Sequence, residues 1–307
     1  MLEIFQKTLS KNVRFEGIGL HTGKSSTVNL IPAKENHGIV FKRIDLEKNN
    51  LIEANYANVS SAKLCTTLEN NYGVKVSTVE HLLAALYIIG VDNALIEINN
   101  EEVPIMDGSS KEFLHALKKN ELKEQVKKRK YLKILEKIEL IDGKRKISIE
   151  PNEKSFEVDF QLNYENKIIG KQKNNINFQK DSLEKVISSR TFCLLEDIEK
   201  IKKQGLAKGG SLDNAVVVDN DKVLNKEGLR NNKEFVNHKI LDLAGDFLLS
   251  EHRLLGKIKC VQGGHELTNR FLRKLMTCKK SFKLIELEQF KISRKETLEP
   301  IKLAVNA

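Results

Sequence analysis

Two short segments carry side chains that can hold a metal ion and act on what it binds: Thr78-Val79-Glu80-His81-Leu82-Leu83 and His238-Lys239-Ile240-Leu241-Asp242. In the second, His238 and Asp242 stand four residues apart, which on a helix puts an imidazole and a carboxylate on one face, close enough to share a cation. The first offers His81 as a third donor and, beside it, Glu80 as a base for a metal-bound water, since a catalytic zinc site uses three protein ligands and keeps one position open. Two His, one Asp and a spare Glu are the equipment of a hydrolase. Each piece alone also has a plainer reading. A His and an Asp one turn apart on a polar helix are more often a surface pair. His81, set among Val79, Leu82, Leu83, Ala84 and Ala85, fits a core-edge histidine bonded to a backbone carbonyl. The HExxH spacing of the commonest zinc proteases is absent, and the lack of CxxC pairs removes a structural zinc finger.

A third segment, Gln262-Gly263-Gly264-His265-Glu266-Leu267, puts His265 at or next to a helix N-terminus after a glycine pair. Glycines let backbone approach a ligand, and the histidine can serve as a general acid. A glycine turn with a capping His is the plainer reading. Asp246, one turn beyond Asp242, can orient or charge His265, or else is a solvated carboxylate.

The elements that must bring these segments together follow from periodicity. Residues 118–133, KKNELKEQVKKRKYLK, hold eight basic residues and two Glu with little apolar periodicity, which places a domain boundary nearby. Before it come an apolar helix over 78–89, a strand over 94–98 and an amphipathic helix over 110–118; after it the order returns as a helix over 233–250, a strand over 257–261 and a helix over 266–276. Both halves begin with alternating strand patterns, as at 27–30 and 146–150. The expectation is one α+β unit used twice, in domains spanning 1–124 and 125–281, with 282–307 a tail of no assigned role. His81 then lies on the first helix of one ending and His238 with Asp242 on the first helix of the other, so packing equivalent helices together brings the ligands to one cleft. Sites between domains are where small-molecule pockets tend to occur.

The chain has 307 residues, enough for two hydrophobic cores. Its formal charge of +10, from 52 Lys and Arg against 42 Asp and Glu, is spread over Lys-rich faces, and there is no Trp. Basic faces without interleaved aromatics argue against a nucleic-acid platform and suit an anionic small molecule, an acidic membrane surface or simple solvation. Cys65, Cys193, Cys260 and Cys278 fall at unrelated spacings, as a reducing compartment permits. With no signal-peptide pattern and no apolar run approaching roughly 20 residues, the sequence predicts a cytoplasmic protein with at most peripheral membrane contact.

Taken in order, QKTL at 6–9, GIGLHTGK at 17–24, STVEHLLAAL at 77–86, PIMDGSS at 104–110, SRTF at 189–192, GGSLDNAVVV at 209–218, FVNHKILDLAGD at 235–246 and GGHEL at 263–267 resemble the UDP-3-O-acyl-N-acetylglucosamine deacetylases. These are zinc amidases that commit the sugar nucleotide to lipid A synthesis in Gram-negative bacteria. The resemblance spans about 6–275 and implies a two-domain α+β sandwich, an insert in each domain and an active site between the layers. It implies Zn2+ on His81, His238 and Asp242, with Fe2+ able to use the same site, Glu80 as general base and His265 as general acid. Asp246 would tune His265, the Thr191 hydroxyl would help hold an oxyanion, and Lys239, Phe192 and Phe160 would contact the substrate. The insert over 192–217 would form an acyl passage from Leu194, Leu195, Ile198, Leu206, Leu212 and Val217, although an ordinary amphipathic helix with a buried strand has the same pattern. The implied partner is an acylated UDP-N-acetylglucosamine, handled by a monomer.

Some positions depart from the family's pattern. Gln262 stands where a basic residue is usual, so diphosphate contact passes to Lys144, Arg145 or Lys259. Asp159-Phe160 aligns loosely with a uridine-contacting pair, Cys193 replaces a usual Gly and narrows the passage mouth, and Cys65 reads as a buried structural thiol. Two competing functions use the same residues: a non-haem Fe(II) oxygenase with a two-His, one-carboxylate triad, and a basic binding module with a structural metal.

Overall fold

The computed structural model describes residues 2–288. An opening strand β1 (Phe5–Leu9) leads into β2 (Val13–Ile18), β3 (Ser25–Pro32), β4 (Ile39–Arg43) and β5 (Leu51–Glu53). A small three-stranded insert follows, β6 (Val59–Ser61), β7 (Thr67–Glu69) and β8 (Lys75–Val76), and then helix α1 (Glu80–Ile89), β9 (Ala94–Ile98) and α2 (Lys111–Lys119). Two strands, β10 (Leu122–Lys128) and β11 (Lys130–Ile134), lead to β12 (Ile138–Asp142), β13 (Arg145–Pro151), β14 (Phe156–Asn163) and β15 (Lys171–Asn177). The second insert contains α3 (Glu184–Ile187), β16 (Phe192–Leu194), α4 (Leu195–Lys203), β17 (Val216–Asp219) and β18 (Lys222–Val223). Helix α5 (Glu234–Leu248), β19 (Arg253–Val261), α6 (His265–Thr277) and β20 (Phe282–Glu286) complete the described chain.

The protein is α+β, and the pairing of its strands makes the expected repetition concrete. The first sheet runs β2-β3-β9-β4-β5, with β9 antiparallel to β3 and parallel to β4. The second contains the path β12-β13-β19-β14-β15, with β19 antiparallel to β13 and parallel to β14. Order and sense are the same, one helix precedes the central strand and one follows it, and each insert falls between the fifth strand and the first helix. Period-two burial drives these strands: Ser26, Val28 and Leu30 face inward on β3, and Phe156, Val158, Phe160 and Leu162 on β14.

Helix α1 is buried from Glu80 through Tyr87, and on α5 every residue except Lys239 is buried. Helices apolar around most of their circumference belong in an interior, and these two pack along each other within one continuous core drawn from both units. Gly245 sets how close they come. A Cβ there would lie 2.1 Å from the Glu80 carbonyl oxygen, so only glycine admits the contact.

Four local expectations are corrected. Helix α1 begins at Glu80 rather than 78, because Thr78 holds a left-handed backbone (φ 56°) while its hydroxyl donates to Glu102. The basic stretch over 118–133 is mostly strand: β10 pairs with β1, and β11 joins the second sheet between β19 and β20. The charges of β10 point to solvent on an open two-stranded ribbon with β1, which removes the apolar alternation that would have revealed it. Strand β19 starts at Arg253, four residues early, because its first residues pair with β11 before the rest pairs with β13 and β14. The first residues of the expected tail form β20, and residues 289–307 lie outside the described residues.

Candidate metal centre and its cleft

Helix α1 opens with Glu80 and His81, and α5 carries His238 and Asp242 one turn apart on the side facing it. Asp242 Oδ1 lies 3.4 Å from His81 Nε2 and 3.3 Å from His238 Nε2, and ligand atoms of all three side chains lie within 4.8 Å of one another. Two donors held about 2.0–2.1 Å from one tetrahedral ion stand roughly 3.3 Å apart, so the spacing of the carboxylate oxygen from each imidazole fits a shared cation. The hydrogen bonding agrees. Asp242 Oδ1 is buried without a hydrogen-bond partner, while His238 Nδ1 meets the Ser189 carbonyl at 3.1 Å, an arrangement that leaves the Nε2 lone pair free. Burial lowers the His238 pKa to about 3, which keeps the ring neutral. Burial pushes the Asp242 carboxyl the other way, but His238 and Lys239 outweigh it and hold its pKa well below the usual carboxylate range; Lys239 Nζ is 2.8 Å from Oδ2. Neutral imidazoles and an ionised carboxylate are the protonation states a metal needs.

Glu80, His265 and Asp246 stand beside this cluster. His265, the first residue of α6, has Nδ1 2.9 Å from Asp246 Oδ2 and Nε2 3.7 Å from Glu80 Oε1. Burial pulls the His265 pKa down, yet the charges of Asp246 and Glu80 prevail and hold it up at about 10. Glu80 is raised by its own burial. Glu80 Oε2 accepts the backbone N–H of Thr66 at 3.0 Å, and the Thr66 hydroxyl donates to Asp246 Oδ1 at 2.7 Å. Of the two glycines before His265, Gly263 is required by packing rather than by a ligand, since a Cβ there would meet Cys260 Sγ at 2.3 Å and the Phe160 ring at 3.2 Å.

A cleft of about 450 Å³ meets this cluster at His265 and Lys239 and is lined also by Lys63, Tyr164, Thr191 and Phe192 among others. Arg145 lines it too and pairs with Glu266 at 3.0 Å. Lys259 is engaged with Glu150, Lys144 is exposed, and Gln262 exchanges hydrogen bonds with the Asn163 backbone, so Arg145 is the one of the expected basic substitutes that borders the cleft. Asp159 is paired with Lys173, and Phe160 is buried beneath Gly263. Lys239 Nζ stands 5.6 Å from the Phe192 ring centroid.

Through Thr191, Phe192 and Cys193 the cleft adjoins an apolar cavity of about 370 Å³. Leu195, Ile198, Leu212 and Val217 line it, together with Leu20, His21, Leu64 and Ala215. Leu194 borders the cleft, and Leu206 lines neither space. Cys193 stands between the two, its thiol pushed up to about 11 by burial. Cys65 is buried and its thiol is pushed up to about 12, again by burial.

Sequence reasoning missed Thr66, Ser189 and the pair beneath the Thr191 strand. Arg190 is fully buried and binds Glu234 on the first turn of α5, the Gly228 carbonyl and Glu227, fixing the backbone that presents Ser189 and Thr191. Arg190 sits inside a recognised motif, but its ion-pair partner is 44 residues away and leaves no local signal.

Two imidazoles and a carboxylate around one point could hold a metal ion, with an independent carboxylate and imidazole beside them. Residues 6–277 match the model of the family LpxC, UDP-3-O-acyl N-acetylglycosamine deacetylase. The chain is 40% identical over 93% of its length to a UDP-3-O-acyl-N-acetylglucosamine deacetylase of Pseudoalteromonas translucida (strain TAC 125), covering 95% of that protein. It is 42% identical to the one from Geobacter sp. (strain M21), covering 92% of each chain, and 40% identical to that of Shewanella frigidimarina (strain NCIMB 400), covering 93% of this chain and 94% of the relative. The chain therefore belongs to the UDP-3-O-acyl N-acetylglycosamine deacetylase family.

Proposed function

We propose that this protein removes the N-acetyl group of UDP-3-O-acyl-N-acetylglucosamine as a zinc-dependent amidase, releasing acetate and the free amine in the committed step of lipid A synthesis in the cytoplasm. The observation that carries this reading is the convergence of His81, His238 and Asp242 with Glu80 and His265, the last of which lines a cleft that adjoins an apolar cavity. His81, His238 and Asp242 hold the metal, Zn2+ or Fe2+. A divalent ion there supplies Lewis acidity toward water and toward an amide carbonyl.

Glu80, raised by burial, accepts the proton of the attacking water, and its Oε1 stands 3.7 Å from His265 Nε2, which puts the base and the acid side by side at one point of the site. The Thr191 hydroxyl donates to the oxyanion that develops on the carbonyl. Protonated His265 then delivers its Nε2 proton to the leaving nitrogen, while Asp246 holds Nδ1–H and stabilises the imidazolium. Lys239 and Arg145 meet the polar portion of the nucleotide, Phe192 lies against the sugar, and the acyl chain enters the apolar cavity past Cys193. Two domains, 1–124 and 125–281, contribute one side each, and the monomer is complete. Mass spectrometry of acylated UDP-N-acetylglucosamine after incubation, with and without chelator, should show loss of an acetyl group only with metal present. Oxygen consumption instead would favour an Fe(II) oxygenase, and binding without turnover would favour a binding module.

A further inference from the structure

Thr66 lies in the loop between β6 and β7, a place where a threonine is ordinarily solvated, yet it is buried and spends both polar groups on carboxylates from different units. Its backbone N–H holds Glu80 Oε2 at 3.0 Å, and its hydroxyl holds Asp246 Oδ1 at 2.7 Å. Asp246 Oδ2 meets His265 Nδ1 at 2.9 Å, and His265 Nε2 looks back to Glu80 Oε1 at 3.7 Å. The four residues form a closed ring. An aspartate χ2 is a soft, twofold rotor, so a hydroxyl fixed on one oxygen decides where the other oxygen points and therefore how the imidazole is aimed. We propose that Thr66 is the positioning residue of the proton-transfer pair: its hydroxyl orients Asp246 so that His265 Nε2–H is directed at the cleft, and its N–H leaves only Oε1 of Glu80 facing the same space.

The inference rests on the deacetylase reading, and its test separates the two. Thr66→Val removes the hydroxyl, keeps the shape and leaves the backbone N–H, so only the bond to Asp246 is lost. In the zinc-loaded full-length enzyme, zinc content should match wild type. The kcat for acylated UDP-N-acetylglucosamine should fall on the order of 10- to 100-fold, as expected for a lost hydrogen bond to a charged group, with KM within about twofold. Thr66→Ser should restore most of the rate, and Thr66→Val combined with Asp246→Ala should be no slower than Asp246→Ala alone. Thr66→Ala serves the same comparison if the valine variant folds poorly. Wild-type kcat in the hydroxyl-less variant, a serine variant as slow as the valine variant, or additive losses in the double variant would each overturn the assignment. If wild type releases no acetate, the deacetylase reading fails by itself, and the ring is read by 15N NMR of the His265 side chain. A displaced Nδ1–H resonance in Thr66→Val supports the positioning role, and an unmoved one refutes it.

Discussion

The ligand histidines and their carboxylate differ from the proton-handling pair in what their loss should do. Removing His238 or Asp242 takes away a donor, so His238→Ala and Asp242→Ala should lose metal and activity together while the far-ultraviolet circular dichroism stays that of the folded protein. Full metal content by mass spectrometry would strike the residue from the ligand set. Glu80→Ala and His265→Ala should keep the metal and lose on the order of 100- to 10,000-fold in turnover, the range of general acid or base groups. Their pH dependences run in opposite directions. Glu80 works ionised, so activity falls as pH drops through its burial-raised pKa; His265 works protonated, so activity falls as pH rises through a value near 10 in the metal-free site. A cation on the neighbouring His81, His238 and Asp242 moves both limbs to lower pH. Each alanine variant should lose its own limb of the kcat/KM profile, and an unchanged bell in both would refute the assignment.

At the scale of elements, the site depends on the seam between α1 and α5, and Gly245 is its narrowest point. Gly245→Ala drives a methyl against the Glu80 carbonyl, and the helix interior gives no room for it. The expected cost is about 1–3 kcal/mol, the usual range for overpacking, with weakened metal affinity because His81 is pushed away from His238 and Asp242. Denaturant midpoints and zinc titration measure the two effects; a variant with wild-type affinity would show that the seam does not set the ligand spacing. The far end of α1 is held differently. Arg253 donates to the carbonyls of Leu86, Tyr87 and Val91, and Arg129 to that of Gly90, so cations from the second half of the chain sit where a helix C-terminus attracts them. One end of α1 presents the chemistry and the other is clamped.

For the whole molecule, the proposed acylated substrate needs a place for its chain. The second insert builds an apolar cavity beside the cleft, and each methylene buried there is worth roughly 0.8 kcal/mol. Val217→Phe fills that space, so it should reduce kcat/KM for the long-chain substrate far more than for UDP-N-acetylglucosamine without the chain. The measurement is the ratio of the two efficiencies in wild type and variant. A wild type without preference for the acylated substrate, or a variant that keeps the preference, would reduce the insert to a structural role.

Much of this was legible in residue types and spacing. His238 and Asp242 fall on one face because the helix period places them there, the repeated order of helix and strand shows in the apolar pattern, and Glu80 and His81 are adjacent in the chain. Local periodicity also carried the apolar character of 192–217. What it could not carry was any relation made across the two units. That Asp242 Oδ1 stands almost equally near both imidazoles and that Thr66 joins Glu80 to Asp246 follow from how closely α1 and α5 pack, and within the second unit the pairing of Arg190 with Glu234 is likewise set by tertiary packing. The charged strands β10 and β11 were hidden for the related reason that strand pairing is a long-range contact, with β1 and β19 as the partners. Sequence determined which groups are candidates for chemistry and which elements bear them; only tertiary packing decided their distances, because hydrogen bonds and metal donors act over a few ångströms and between residues remote in the chain.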